Sequence, residues 1–101
     1  MNWQLYIILC SDDSLYTGIT TDVERRFAQH AAGKGAKYFR GRSACRIVYL
    51  EMGHDRSSAS RREVDIKKLR PEAKWLLIAS AGNQFEALTK SLGLRNLSVE
   101  N

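Results

Sequence analysis

Five side chains in the first two thirds of the chain carry groups that could act on a phosphate: Tyr6, Tyr16, Arg26, His30 and Glu63. A guanidinium binds two phosphate oxygens at once and does not lose its charge. Histidine titrates near neutral pH, and a carboxylate can hold Mg²⁺, which often takes only one or two protein ligands. Each of these residues also has a structural alternative, so their places on helices and strands decide the interpretation.

Arg26 and His30 belong to a predicted helix that opens with the capping box Thr21–Glu24. With about 100° between successive residues, the predicted buried stripe of this helix consists of Val23, Phe27 and Ala31. Arg26 and His30 fall along one edge of the stripe, one turn apart, whereas Arg25 faces water. Arg26 can therefore reach a site at the sheet; the alternative is a boundary arginine paired with Asp22.

Glu63 lies on a second predicted helix, which starts near Ser57 or Ser58 and ends before Pro71. The inward-facing residues of this helix are predicted to be Ala59, Ile66 and Leu69. Glu63 projects from the edge of the same face, and a carboxylate in such a position needs a partner. Lys67, four residues on, can neutralise it. The other interpretation is a magnesium ligand.

The remaining candidates lie on strands and in a basic loop. Tyr6 and Tyr16 occupy two predicted strands, where tyrosines usually serve packing. The loop from Lys34 to Arg42 mixes cations with aromatic rings, as single-strand binders do, and it also fits a solvated basic loop with two core aromatics. Its candidate contacts are Lys34, Lys37, Tyr38, Arg40 and Arg42.

The elements that must position these residues follow from turn and capping signals. The predicted strands are Leu5–Cys10, Ser14–Ile19 and Ile47–Met52, with the first two joined in a hairpin. Gly33 supplies a left-handed residue after the first helix. Beyond the second helix, the predicted helices run over Glu72–Ser80 and around Phe85, Leu88 and Leu92. This order predicts an α+β domain with a small antiparallel three-stranded sheet flanked by helices, and an extra C-terminal helix.

Composition is that of an ordinary globular domain with a basic surface. The chain has 101 residues, 44% hydrophobic and 27% charged, and a net charge of +5, which suits a polyanionic partner. No apolar run is long enough to cross a membrane, and the N-terminus lacks the basic region of a signal peptide. Cys10 and Cys45 are expected to be reduced thiols of a cytoplasmic protein.

The strands and helices also carry a composite motif. Gln4-Leu5-Tyr6 and Tyr16-Thr17-Gly18, followed by Arg26, His30 and Glu63, resemble the GIY-YIG nuclease superfamily. The segments that are similar to its small stand-alone bacterial YhbQ-type proteins are Leu15–Asp22, Glu24–Arg26, Gly33–Tyr38 and Arg40–Arg42. The similarity spans about residues 3–80 and rests on the combination, because each short motif alone is weak.

The resemblance implies metal-dependent hydrolysis of a phosphodiester with Mg²⁺ or Mn²⁺. Tyr6 and Tyr16 are then the tyrosines of the two half-motifs, Arg26 the phosphate-binding arginine, and Glu63 the metal ligand. His30 stands where the family places His or Tyr, and Gly18 lets the backbone approach closely. Tyr16 is favoured as the base that deprotonates water, with His30 as the other candidate.

Two positions depart from the family pattern. Gln4 replaces the glycine of the first half-motif, and we expect this to matter little if the position is an ordinary strand residue. Several active relatives have an asparagine after the metal glutamate, whereas the corresponding stretch here, Lys74-Trp75-Leu76, has none. The second departure bears on catalytic rate.

We therefore expect residues 1–82 to form a nuclease-like domain, with residues 83–101 as a helix and polar tail packed on it or trailing from it. The expected activity is an endonuclease acting on DNA, with RNA not excluded, in repair or processing. No membrane and no obligate protein partner is expected. The alternative is a nucleic-acid binding module without turnover, and a third interpretation is an adaptor that docks a protein through the last helix.

Overall fold

The central feature of the computed structural model is an antiparallel sheet of three strands, β1 (Trp3–Cys10), β2 (Leu15–Thr20) and β3 (Ala44–His54), in the order β2-β1-β3. The helices are α1 (Val23–Ala31), α2 (Arg56–Lys67), α3 (Pro71–Ile78) and α4 (Phe85–Leu92), with a 3₁₀ turn at Lys37–Arg40. The structure describes residues 2–94 and 97–99, apart from the side chain of Leu92. The predicted fold class is confirmed.

Strand β1 is buried on both faces, which explains its unbroken apolar sequence. Leu5 and Ile7 belong to one core cluster, while Tyr6 and Ile8 belong to another. Helices α2 and α3 cover the first face; α1, the 3₁₀ turn and α4 cover the second. A strand without a solvent-facing side shows no apolar-polar alternation. The site candidates Tyr6 and Tyr16 therefore share the face that α1 covers.

Pairing along β1 makes β3 longer than the predicted strand Ile47–Met52. The two strands pair from Trp3 opposite His54 to Cys10 opposite Ala44, with three register irregularities. The outer edge of β3 is also occupied. The Asn83 amide donates to Val48 O at 2.8 Å, and its Oδ1 accepts from Leu50 N.

Capping of α1 differs by one residue from the prediction. The N-cap is Asp22, whose carboxylate accepts from Arg25 N at 3.2 Å, rather than Thr21. Gly33 takes a positive φ of 75°, which confirms the predicted left-handed residue after this helix.

Gln4 is buried, and its Oε1 accepts from Val23 N at 3.0 Å. Gln4 is thus a strand residue that also ties the start of α1 to β1.

Helix α2 begins one to two residues earlier than predicted, because Asp55 and Ser58 form a capping box. Ala59 and Ile66 are fully buried, as predicted. Leu69 is 37% exposed, so its predicted inward position is wrong. It lies after the end of α2, where the helical periodicity no longer applies.

The C-terminal segment packs on the same core. Phe85 and Leu88 are partly buried against it, Leu97 is buried, and a short bridge joins Arg46 to Ser98. Two members of the predicted adaptor stripe are thus core contacts; the Leu92 side chain lies outside the described part.

Among the described helices, none has the length and apolar character needed to cross a membrane. Both cysteines are free thiols.

Thr17 offers a test of the packing between sheet and helices. It is 2% exposed, and its hydroxyl has no hydrogen-bond partner among the described residues. We predict that Thr17→Val raises the free energy of unfolding by about 1 kcal/mol, because a buried hydroxyl without a partner is destabilising. Urea unfolding measures this difference.

Thr20→Val is the matched control. The Thr20 hydroxyl accepts from Asp22 N at 3.1 Å, so its loss should lower the unfolding midpoint. A lower midpoint for Thr17→Val as well would show that its hydroxyl has a partner in solution, such as a bound water.

Candidate active site

Helix α1 presents one buried stripe to the sheet, and His30 is part of it. The buried residues of α1 are Val23, Phe27 and His30. The predicted member Ala31 is exposed, because the helix ends there and His30 takes the inward position. Arg26 is half-buried beside the stripe and Arg25 is exposed, as predicted. Within the described residues the side-chain partner of Arg26 is Gln29 Oε1, at 2.9 Å from Nη1, rather than Asp22.

The imidazole of His30 is held at both nitrogens. The Ala36 backbone N–H donates to Nδ1 at 3.3 Å, and Nε2 lies 2.9 Å from Tyr6 Oη. Because Nδ1 accepts a hydrogen bond, the neutral ring carries its proton on Nε2 and donates it to Tyr6 Oη. The Tyr6 hydroxyl proton is then free to be donated to another acceptor.

Two glycines make room for this pair. A Cβ at Gly18 would lie 2.4 Å from Tyr6 Oη, and a Cβ at Gly35 would lie 2.0 Å from His30 Nδ1. Side chains of any size at these positions would displace the two rings, because real Cβ atoms do not approach so closely. Gly18 is a predicted site residue; Gly35 is not, although it lies within the Gly33–Tyr38 segment on which the resemblance rests.

Tyr16 is the centre of an aromatic cluster around the Tyr6–His30 pair. Its ring centroid lies 5.3 Å from that of His30 and 6.3 Å from that of Tyr6. On the other side it lies 4.9 Å from Phe39 and 5.1 Å from Tyr38. Tyr16 is half-buried, whereas Tyr6 is buried, so Tyr16 is the phenol of the pair that borders solvent.

Burial sets the protonation states at this cluster. It lowers the pKa of His30 to about 4, and the positive charge of Arg26 acts in the same direction. Burial raises the pKa of Tyr6 above its ordinary range, with Tyr16 adding to the rise and Arg26 opposing it. The pKa of Tyr16 is also raised by burial, again against the charge of Arg26. At pH 7 the imidazole is therefore neutral and both phenols keep their protons.

Glu63 lies at the edge of the same region. Its carboxylate raises the pKa of Tyr6 and of Tyr16, since a nearby negative charge disfavours a phenolate. Its Oε2 is 3.4 Å from Lys67 Nζ, one turn along α2. The ion pair with Lys67 is thus present in the structure, and the side chain of Lys67 is 52% exposed. A partly exposed pair with a single contact of this length contributes little to stability and is readily exchanged.

A partly buried polar network joins α2 to β3. Glu51 accepts from Tyr49 Oη at 2.5 Å and from Arg62 Nε at 3.2 Å, and its Oε1 lies 2.6 Å from His54 Nε2. Burial alone would raise the pKa of Glu51, but these hydrogen bonds outweigh it and lower the pKa. Arg62 immediately precedes Glu63, so this network holds the helix that carries Glu63. Sequence reasoning missed it, because β3 and α2 supply its members from separate segments.

Glu63 can act as a magnesium ligand only in an open site. No group of three or more His, Cys, Asp or Glu side chains in residues 2–94 and 97–99 is arranged to hold a metal ion. A closed protein cage of the zinc or calcium type is therefore not formed by these residues. A single carboxylate in the same region as the Arg26 guanidinium fits Mg²⁺, which often takes only one or two protein carboxylates and keeps several waters.

The basic loop packs on the cluster with its two aromatic residues and exposes most of its cations. Phe39 is buried and Tyr38 half-buried, whereas Lys34, Lys37 and Arg40 are exposed. Arg42 differs from the other cations, because its Nε lies 3.2 Å from Asp12 Oδ2 and its guanidinium lies 4.1 Å from the Tyr38 ring centroid. The loop thus supplies aromatic residues to the core and exposed cations to the surface.

The predicted site residues are brought together from three elements. Those from β1, β2 and α1 meet at one point: Tyr6, Tyr16, Gly18, Arg26 and His30. Glu63, on α2, is near enough for its charge to raise the pKa of Tyr6 and of Tyr16. Of the predicted loop residues, Tyr38 contacts Tyr16 directly, whereas Lys34, Lys37 and Arg40 are exposed.

Comparison with known proteins adds a family to this geometry. Residues 2–74 match the family model described as the GIY-YIG catalytic domain. The chain is similar to the UPF0213 protein YhbQ of Escherichia coli K12, with 48% identity over 90 residues and 89% of each chain covered. It is 45% identical over 87 residues to the UPF0213 protein DP2720 of Desulfotalea psychrophila, covering 85% of this chain and 79% of that one.

A solved structure supports the fold. The solution NMR structure of the UPF0213 protein BH0048 from Bacillus halodurans resembles this chain with a TM-score of 0.53 and 44% identity. The match covers 89% of this chain and 96% of that chain. The three-stranded antiparallel sheet with flanking helices is therefore shared with a relative of known structure.

The buried His30 makes a prediction about stability and pH. Its folded pKa of about 4 lies below the unfolded value of 6.5. Its contribution to stability is therefore fully present above pH 6.5 and is lost as the pH falls toward 4, because the unfolded chain takes up the proton first. The loss over this window should be on the order of 3 kcal/mol. Unfolding free energies from urea titrations between pH 4 and pH 7 measure it.

One variant isolates this effect. His30→Gln removes the titrating ring, so its stability should change less over the window than that of the wild type. Parallel curves for the wild type and His30→Gln would contradict the neutral, buried imidazole.

Proposed function

The chain belongs to the GIY-YIG catalytic domain family, a nuclease family, and on this basis we propose that it is a divalent-metal-dependent endonuclease that hydrolyses phosphodiester bonds in DNA, in repair or processing. The observation that carries the proposal is the Tyr6 hydroxyl, held by His30 over Gly18 with Arg26 and Tyr16 beside it. RNA contains the same bond, so the phosphate chemistry applies to it as well.

Arg26 and Glu63 have separate roles in the proposed reaction: Arg26 would bind the phosphate and Glu63 would bind the metal. Arg26 lies at the edge of the cluster, and its fixed positive charge can neutralise the charge that develops on the phosphoryl group. Glu63 would hold Mg²⁺ or Mn²⁺ on the other side. When bound, the metal supplies Lewis-acid stabilisation of the phosphate and of the leaving oxygen.

Tyr16 is the better of the two candidates for the base. Both nitrogens of His30 are engaged, and its pKa of about 4 makes the ring a weak proton acceptor at neutral pH. Tyr16 borders solvent, and the Arg26 charge already acts to lower its pKa. A cation held by Glu63 would act in the same direction. Tyr16 would first have to release its own proton to solvent, because only the phenolate can take a proton from water. Tyr6, as a hydrogen-bond donor, would orient the Tyr16 oxygen or a phosphate oxygen.

A nucleic-acid binding module without turnover is the second candidate function. Two observations favour it: Lys74–Leu76 contain no asparagine, and Glu63 is paired with Lys67. The basic rim of Lys34, Lys37 and Arg40 serves both functions. A requirement for a divalent metal separates them.

We predict that the purified protein nicks supercoiled plasmid only with Mg²⁺ or Mn²⁺, and that Glu63→Ala lowers the nicking rate by at least about 100-fold. The variant should remain folded, because the exposed ion pair it removes contributes only about 0.5 kcal/mol. Lys67→Ala is the matched control, since it removes the same ion pair and keeps the carboxylate. Equal nicking by the wild type and Glu63→Ala would point to a contaminating nuclease and exclude the enzymatic function.

The two neighbouring arginines of α1 give a second test. Arg26→Ala should reduce the single-turnover cleavage rate by about 100-fold or more, because a preorganised positive charge at the phosphoryl group is lost. Arg25→Ala removes the same charge from the exposed side of the helix and should change the rate little. A larger effect of Arg25→Ala would mean that the phosphate lies on the opposite side of α1.

A further inference from the structure

A groove of about 220 Å³ adjoins the aromatic cluster on the side away from α1. It lies between the β1–β2 turn, the 3₁₀ turn and the start of α3. Its lining residues are Asp13, Ser14, Leu15, Tyr38, Pro71, Lys74 and Trp75. None of them except Tyr38 takes part in the site described above.

We propose that this groove receives an unpaired nucleobase of the strand whose phosphate lies at the site. The inference rests on the proposed function in one respect, namely that the ligand is a nucleic acid. It adds a binding subsite and a substrate class: a strand with at least one unpaired nucleotide beside the scissile phosphate.

The walls of the groove suit a flat aromatic ligand. Trp75 is 41% exposed and lines the groove together with Pro71 and the half-buried Tyr38, so the indole and the proline ring provide apolar surface against which a base can stack. Tryptophan is usually well covered in a folded protein, so a partly exposed Trp in a concave surface marks a contact site. Stacking of a base on an aromatic side chain contributes about 1–3 kcal/mol and does not depend strongly on the base.

The position of the groove connects it to the reacting phosphate. Tyr38 forms one of its walls and also packs on Tyr16, with ring centroids 5.1 Å apart. The groove therefore begins one aromatic ring away from the residue proposed as the base. A nucleotide whose phosphate is held near Arg26 and Tyr16 can place its own base, or that of its neighbour, in the groove.

The charges favour a base inside the groove and phosphates outside it. Asp13 is part of the lining, and its carboxylate disfavours a phosphate there while it can accept hydrogen bonds from an exocyclic amino group. Lys74 lies in the wall, and Arg42 is held over the Tyr38 ring at the rim, 4.1 Å from its centroid. These two cations are placed to contact the backbone of a strand whose base enters the groove.

The two tryptophans of the chain allow a direct test. Trp3→Phe leaves Trp75 as the remaining tryptophan, so its fluorescence reports on the groove. This variant is titrated with hexadeoxycytidylate and with an abasic oligomer that has the same number of phosphates, without metal. We expect the hexamer to quench Trp75 and to bind about 5- to 100-fold more tightly than the abasic oligomer.

Variants in the otherwise wild-type chain locate the effect, with binding followed by the anisotropy of a labelled oligomer. Trp75→Ala and Tyr38→Leu should bring the affinity for the hexamer down to that for the abasic oligomer. Leu76→Ala is the matched control, since Leu76 is 74% exposed, follows Trp75 on α3 and does not line the groove. It should leave both affinities unchanged. A hexauridylate titration determines whether the base may come from RNA, and quenching by either hexamer supports the subsite.

Equal affinities for the hexamer and the abasic oligomer, without quenching, would overturn the inference. If such a protein still nicks plasmid with Mg²⁺, the proposed endonuclease stands and only the subsite fails; the groove would then fit a peptide partner better. Quenching by the hexamer in a protein that never nicks would instead support the subsite and remove the endonuclease. Binding of neither oligomer also overturns the subsite, and the plasmid assay again decides the enzymatic function separately.

Discussion

The hydrogen bond between His30 and Tyr6 is the interaction on which the rest of the site depends. It joins α1 to the central strand, and the same ring receives the Ala36 N–H from the start of the basic loop. A buried polar pair is stable only when its donors and acceptors are matched. Gly18 and Gly35 leave the space that the two rings need to form this hydrogen bond. One imidazole thereby sets the distance between the sheet, the helix that carries Arg26 and the loop that carries the cations.

Much of this arrangement could be predicted from the sequence because it is local. Turn residues and caps give the hairpin and the helices, and helical periodicity separates Arg26 from Arg25. What periodicity could not give is the identity of the buried position at the end of α1. Ala31 is the more apolar residue, but a neutral histidine with both nitrogens bonded is as well accommodated in the core. The hydrogen bond from Val23 N to Gln4 Oε1 could not be predicted from local patterns either, because it joins residues 19 positions apart.

Tertiary contacts account for the other surprises. The Glu51 network links β3 to α2, and each of its members has an ordinary surface-type side chain when seen in the sequence alone. The surroundings of Trp75 also come from distant parts of the chain. It faces a groove whose opposite wall comes from residues 13–15 and from Tyr38, far away in the chain. Sites assembled from several elements are therefore the features that residue spacing in the sequence predicts least well.

Helix α2 takes part in two carboxylate–cation pairs of different character, and the contrast bears on function. Arg62 is bound to Glu51 of β3 within a partly buried network of several hydrogen bonds, so breaking this pair would deprive a mostly buried carboxylate of its guanidinium partner. The Glu63–Lys67 pair has one long contact and a largely solvated lysine. Replacing Lys67 by another cation as the partner of Glu63 requires little free energy, because the lysine side chain is already largely in water. The first pair thus fixes the helix while the second leaves its neighbouring carboxylate free to change partners, as an open metal site requires.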